Sequence, residues 1–393
     1  MLGSRLTAIG LPLLVLALTG SPLIAGWAGF AVAAPSILAF LPAGALADRW
    51  NPRRTMMICE IGRGTAIAAV VVLVGLVNSR NVTLLIALVV VEEVLGVSSA
   101  LSERRLICSI VDPGNTASAL ASAEGRTHVV VLLGRSLGGF LFGLGQAFPF
   151  LADAVSFGFS ASVLMRVRPR ADSGMAGRTV ADRHLGREIR EGLRWAWADP
   201  FARVAFPLTA CTTLVSQALI MVFLAEAHTR NLAPDRIGLV LAASGAGGAI
   251  GSAIACRLFQ YFKYHLLQVQ MLIWAGMFAL LALSRGHSYV LMAVALTVTG
   301  LAGALGNIAL DSYLFREVDK SMLGRATSID RLTTFGGLAL GPLLGGAIAE
   351  RFGVGQSIFA LFVAALVVAV IAMAGRPPRR RTDMRPVESS TPA

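Results

Sequence analysis

The sequence predicts an all-α, polytopic membrane protein of about twelve spanning helices, built as two parallel six-helix halves, and three observations predict it. Only 14% of the 393 residues are charged and 55% are hydrophobic, with a mean hydropathy of +0.72; a soluble chain carries about a quarter charged residues. Apolar runs approaching the ~20 residues that a spanning helix needs recur from end to end. The second half also repeats the first. Gly134, Leu137, Gly138 and Gly139 fall on Gly341, Leu344, Gly345 and Gly346 at one constant offset, which also pairs Gly44 with Gly251, Val111 with Val318, Asp112 with Asp319 and Ala119 with Ala326. Six helices being an even number, the copy enters the bilayer from the same side as the original.

Taken in order, the apolar runs lie at 6–18, 23–47, 55–77, 82–102, 118–145, 149–165, 201–225, 236–259, 266–284, 288–313, 323–349 and 354–374. The first is short, because Arg5 follows only four residues. Met1 to Thr19 has the outline of a signal peptide, but no soluble domain follows and the run reads as a span. Lys and Arg gather on alternate loops. One side receives Arg49, Arg53, Arg54, Arg104, Arg105, Arg257, Lys263, Arg316, Lys320 and Arg325, the linker arginines and the tail; the other holds Arg80, Arg230, Arg236, Arg285 and Arg351. By the positive-inside rule both termini are cytoplasmic, in a multi-pass protein of the inner (plasma) membrane.

These spans divide the chain into a first half at 1–165, a linker at 166–200, a second half at 201–375 and a basic tail at 376–393. Within the linker, LGREIREGLRWAWADPF sets Leu185, Ile189, Leu193 and Trp197 four apart, with Arg187, Arg190 and Arg194 on other faces. That spacing is an amphipathic helix suited to a membrane surface. Residues 166–184 read equally as a solvated basic linker, since Pro169, Gly174 and Gly177 break any helix.

A net charge of +12 raises the possibility of nucleic acid. The arginines fall in alternate loops and the tail without interleaved aromatic rings, so no nucleic-acid partner is expected. Cys59, Cys108, Cys211 and Cys256 stand inside apolar runs without ligand spacing and read as small core residues. No metal, no cofactor and no enzymatic activity are expected, because no nucleophile–base arrangement and no phosphate-cradling loop is present.

Two motifs carry the functional expectation. GALADRWNPRRT, residues 44–55, joins the second and third spans. Gly44 permits close helix packing, Asp48 can face the positive end of a neighbouring helix, and Arg49 and Arg53 can reach a carboxylate such as Glu103. Ordinary topogenesis accounts equally for Arg53 and Arg54. The second motif, Gly337, Gly341, Pro342, Gly345 and Gly346 in the eleventh span, combines close approach with a proline bend.

Ionisable groups inside spans are costly, at roughly 2.5–3.5 kcal/mol each on insertion scales, and therefore require a reason. They are Glu60 and Arg63 in the third span, Glu92 and Glu93 in the fourth, Glu124, Arg126, His128 and Arg135 in the fifth, Asp153 in the sixth, and Asp330 and Arg331 in the eleventh. Glu60–Arg63 and Asp330–Arg331 read as fixed ion pairs. Glu92 and Glu93 have no arginine within a turn, so one of them either exchanges a proton during function or pairs with an arginine of the fifth span. His128 reads as a packed polar residue.

The 44–55 segment resembles the major facilitator superfamily signature G-x-L-x-D-R-x-G-R-[RK], with Asn51 and Pro52 where Gly and a basic residue are usual. The eleventh-span run resembles that superfamily's antiporter motif, usually found in the fifth helix, where this chain has Arg135 in the place of proline. LPLLVLALTGSP (11–22), LPAGALADR (41–49), REGLRWAW (190–197) and LGPLLGG (340–346) are similar to the branch that includes enterobactin exporters and macrolide-efflux proteins. In that branch an apolar lead-in normally precedes the first helix, so an incomplete N-terminus is expected.

The resemblance implies the major facilitator fold, with Gly44, Asp48, Arg49, Arg53 and Arg54 latching the halves together on the cytoplasmic side. Ala255 and Cys256 stand at the equivalent of Asp48 and Arg49, so the latch is one-sided. It further implies a secondary active transporter working by alternating access, with proton-coupled efflux of a small amphipathic organic molecule such as a drug, siderophore or secondary metabolite. The expected partners are that molecule, protons and the lipid bilayer, with the chain acting as a monomer. The alternative is a transport-inactive sensor or scaffold of the same fold.

Overall fold

A computed structural model describes residues 2–38, 51–75, 77, 81–111, 130, 134, 137–138, 140–142, 144–166, 185–262, 265–283, 288–318 and 320–374. Among the described residues every regular element is an α-helix. The first half contains α1 (Leu2–Thr19), α2 (Pro22–Leu38), α3 (Pro52–Gly75), α4 (Val82–Ile110) and α5 (Phe148–Arg166). The linker contributes α6 (Leu185–Ala198). The second half contains α7 (Ala202–Thr229), α8 (Pro234–Phe262), α9 (His265–Leu283), α10 (Tyr289–Glu317) and α11 (Lys320–Ala374).

The helix ends follow from local chemistry. Gly20, at φ +67°, closes α1 in a left-handed turn, its N–H reaching Leu16 O at 2.8 Å. Asn51 Oδ1 accepts from the Arg53 N–H at 3.0 Å, and Pro52 takes the first helical position of α3. The two departures from the superfamily signature are thus a helix start. Asn81 and Ser288 cap α4 and α10 through the N–H groups of Leu84 and Leu291. Gly353, at φ 73° and ψ 169°, breaks α11 into two spans, a backbone conformation that an L side chain resists.

Among the described residues seven helices are long and apolar enough to cross a bilayer, and the last of these, Arg325–Met373, contains the Gly353 break. Gly3–Thr19, Pro22–Pro35 and Gln270–Leu283 are shorter apolar helices. Most of the expected fifth span lies outside the described residues. Four boundaries differ from the sequence reading by four residues or more: α1 begins at Leu2, α4 continues to Ile110, α7 to Thr229 and α10 to Glu317. Arg104 and Arg105, expected in a loop, therefore extend a helix beyond the apolar stretch.

The two halves use glycine in the same way. A Cβ on Gly134 or Gly138 would meet Arg5, Leu6 and Ile9 of α1; one on Gly337, Gly341 or Gly345 would meet Ala210, Leu214 and Ala218 of α7. In each half the glycine-rich run leans on that half's first helix. The seam between halves is α2 against α11, where Gly26 and Gly29 face Pro342, and Gly346 faces Pro22 and Gly26. Outside this packed interior, Leu283, Val290, Phe159 and Leu239 are all more than 70% exposed. A lipid-facing surface needs such residues, and a water-facing one does not.

Candidate functional site

At mid-depth of the first half, ionisable groups of α3, α4 and α5 come together against two hydroxyls of α1. Arg63 stands near the middle of α3, about 17 Å from either end at 1.5 Å per residue. Its Nε and Nη2 donate to Glu92 Oε1 of α4 at 2.9 and 2.6 Å, and its Nη1 donates to Glu60 Oε1 at 3.3 Å. Nη2 also donates to Ser4 Oγ of α1 at 2.6 Å, and Ser99 Oγ of α4 donates to Glu60 Oε1 at 2.7 Å. The guanidinium carbon lies 4.5 Å from the ring centroid of Phe157, so the cation is held on its apolar side as well.

Asp153 of α5 is fully buried, and its Oδ2 accepts from Thr7 Oγ1 of α1 at 2.6 Å. A Cβ on Gly3 would lie 2.1 Å from Asp153 Oδ1, so glycine there lets α1 sit directly against the acid. Glu60, Glu92 and Asp153 are all buried, Glu93 is half-buried, and among the described residues Arg63 is the buried cation between them. Among the described residues, Glu92 Oε2 is buried with no hydrogen-bond partner. The group thus combines an excess of carboxyl groups with one acid oxygen left open.

The geometry corrects several expectations. Glu92 pairs with Arg63 of the third span, while the fifth-span arginines named as its other partners lie outside the described residues. Glu60–Arg63 is formed, but Arg63 makes its shorter bonds to Glu92. Asp330 and Arg331 form no ion pair among the described residues, because neighbours in a helix point about 100° apart. Arg53 donates to Leu164 O at 3.3 Å and to Met165 O at 2.7 Å. Those carbonyls end α5, where a helix leaves its acceptors open and its dipole attracts a cation. Arg54 is exposed. Cys59 is buried as expected, whereas Cys211 is exposed. Gly44, Asp48, Arg49, Glu124, Arg126 and Arg135 lie outside the described residues.

One contact had no sequence signal. Glu350 Oε2, near the end of the first span of α11, accepts from Ser21 Oγ at 2.5 Å and from the Leu23 N–H at 2.9 Å. A carboxylate of the second half therefore caps the start of α2 in the first half. At this end the α2–α11 seam is closed. Beside it lies a cavity of about 420 Å³ lined by Pro22, Glu226, Arg230, Ala349 and Val354 among others, with Glu226 and Arg230 in an ion pair.

Residues 1–392 match the family described as transmembrane secretion effector. The chain is 24% identical over 376 residues to an uncharacterised MFS-type transporter, y4rN, of Sinorhizobium fredii (strain NBRC 101917 / NGR234), covering 94% of this chain and 90% of that protein. It is 24% identical over 378 residues to the multidrug efflux pump Tap of Mycolicibacterium fortuitum, covering 94% and 91%. A variant of the nucleoside transporter NupG superposes with a TM-score of 0.71 at 14% identity, covering 95% of this chain and 96% of that one, a likeness of fold. The chain belongs to the transmembrane secretion effector family of the major facilitator superfamily, whose members are membrane transporters.

Proposed function

We propose that the protein exports a small amphipathic organic molecule by alternating access, driven by protons that enter and leave the buried acid cluster of the first half. The observation that carries this reading is the charge imbalance around Arg63. Three buried carboxylates facing one guanidinium would leave net negative charge in a low-dielectric interior, a state that proton uptake relieves. Among the described residues Glu92 has the open oxygen, and the partners of Asp153 are hydroxyls, Thr7 Oγ1 at 2.6 Å and Ser156 Oγ at 3.5 Å. The cluster joins α1, α3, α4 and α5, so any shift of these helices during rocking alters the contacts of Arg63 and thereby the acids it neutralises. A membrane potential of 100 mV supplies ~2.3 kcal/mol per charge moved, enough to bias such a cycle.

Export rather than uptake is supported by the relationship to the efflux pump Tap and by the glycine–proline run of α11. In this reading Glu350 with Ser21 is the outer latch, and the 44–55 segment, started at α3 by Asn51 and Pro52, is the inner one. Cytoplasmic termini follow from the arginine asymmetry.

The test is transport by the purified protein in liposomes under an imposed pH gradient, with a panel of macrolides, siderophores and amphipathic cations. Gradient-dependent movement of at least one compound by wild type, abolished by Glu92→Gln, is the expected result. Gradient-dependent transport that Glu92→Gln and Asp153→Asn leave intact would remove the cluster from the coupling. No movement of any compound would favour the transport-inactive sensor.

A further inference from the structure

We infer that α6 is a seat for anionic phospholipid, with Leu193 and Trp197 in the margin of the acyl chains and Arg190 and Arg194 on the phosphates. The helix has two unlike sides. Gly192, Trp195 and Ala196 face the second half. A Cβ on Gly192 would lie 3.2 Å from Ile329 Cγ1, the Trp195 ring stands 6.4 Å from that of Phe206, and Ala196 is buried. Glu191 pairs with Arg325 at 3.3 Å on this side.

The sequence periodicity places Leu193 and Trp197 on one apolar stripe, and that stripe is not the docked face. Leu193 is 47% exposed and Trp197 is 64% exposed. Going round the helix at 100° per residue, Leu193, Trp197, Arg190 and Arg194 follow one another within an arc of about 100°. Arg190 and Arg194 are exposed as well. The outward arc therefore grades from apolar to basic, while its neighbouring acid Glu191 is engaged by Arg325. Water does not reward an open leucine and tryptophan beside two exposed arginines, whereas the boundary between acyl chains and phosphates rewards both.

The position of α6 selects lipid over a soluble partner. Its contacts are to Arg325 and Ile329 near the start of α11 and to Phe206 near the start of α7, so it lies level with the ends of the spans, where headgroups run. It is also firmly anchored. Asp199, just past the helix, accepts from Tyr313 Oη of α10 at 2.6 Å and from the N–H groups of Phe201 and Ala202 at 3.0 and 2.7 Å. A lipid held by α6 therefore acts on the second half as a body.

The test uses the full chain in nanodiscs of phosphatidylcholine containing a minor fraction of phosphatidylglycerol, with retained lipid identified by native mass spectrometry. At about a factor of five per arginine near a charged surface, Arg190→Gln with Arg194→Gln is expected to weaken phosphatidylglycerol retention about 25-fold. Arg351→Gln, at the opposite face, is expected to leave it unchanged. Equal retention by wild type and the double variant, or equal loss in Arg351→Gln, overturns the assignment. A nitroxide at Leu193→Cys in the same nanodiscs gives a second measurement: preferential contact with lipid-dissolved oxygen supports it, and preferential contact with a water-soluble relaxant overturns it.

Discussion

Gly345 and Gly346 are adjacent in α11 but meet different halves, and their alanine variants are expected to fail in different ways. A Cβ on Gly346 would lie 2.3 Å from Pro22 O of α2, and one on Gly345 would lie 2.5 Å from Ala218 O of α7. Ordinary contact begins near 3.4 Å. Each alanine therefore forces about 1 Å of separation between packed helices, and overpacking of that kind costs about 1–3 kcal/mol.

In Gly345→Ala the strain falls between two helices of one half, which stay together in every state of a rocking transporter. The whole fold carries it, and Tm drops. In Gly346→Ala it falls on the seam between halves at the end closed by Glu350, the outer end in the proposed orientation, so opening that end relieves it. The equilibrium should then move toward the outward-open state by a factor of about 5–150, the equivalent of 1–3 kcal/mol. Spin labels at Val77→Cys and Arg236→Cys, one on each half at the outer face, report this in a distance distribution measured by pulsed electron resonance. A longer distance in Gly346→Ala alone is the expected result. Identical shifts in both variants, or none in either, would refute the division of the two glycines between packing within a half and packing across the seam.

Other outcomes follow from the same geometry. Arg63→Met should destabilise the protein by about 3–5 kcal/mol by stranding buried carboxylates, and adding Glu92→Leu should restore part of the loss, measured by thermal unfolding in detergent. Gly3→Ala should reduce gradient-driven transport more than it reduces Tm, because its Cβ displaces the Asp153 carboxyl. Glu350→Ala removes the cap on α2, at about 1 kcal/mol, and should raise labelling of cysteines in the outer cavity from outside.

The helical, duplicated architecture was legible because apolar length and glycine spacing are local properties. Gly337, Gly341 and Gly345 could be recognised as packing positions from their four-residue interval alone, and the helix at 185–198 from its charge pattern. The face by which that helix docks could not. Gly192 and Ala196 are small enough for close approach to α11, which overrode the larger stripe of Leu193 and Trp197. The pairing of Arg63 with Glu92 was equally hidden. Sequence shows an i,i+3 neighbour such as Glu60, but the rotation of α3 against α4 depends on packing across the whole bundle. Glu350 gave no signal because an exposed acid at the end of a span has no period, and the groups it meets, Ser21 and the Leu23 N–H, lie in the other half of the sequence. Asn51 and Pro52 depart from the superfamily signature, and their own chemistry as a helix cap and first turn accounts for them.

The central claim is that a buried carboxyl of the Arg63 cluster exchanges a proton. Infrared difference spectroscopy of the protein in lipid films, recorded as pH is stepped across the physiological range, tests it without a known substrate. The account predicts a protonated-carboxyl band that titrates in wild type and is diminished in Glu92→Gln or Asp153→Asn. A wild-type spectrum with no titrating carboxyl band, or a band that both variants leave unchanged, would contradict it.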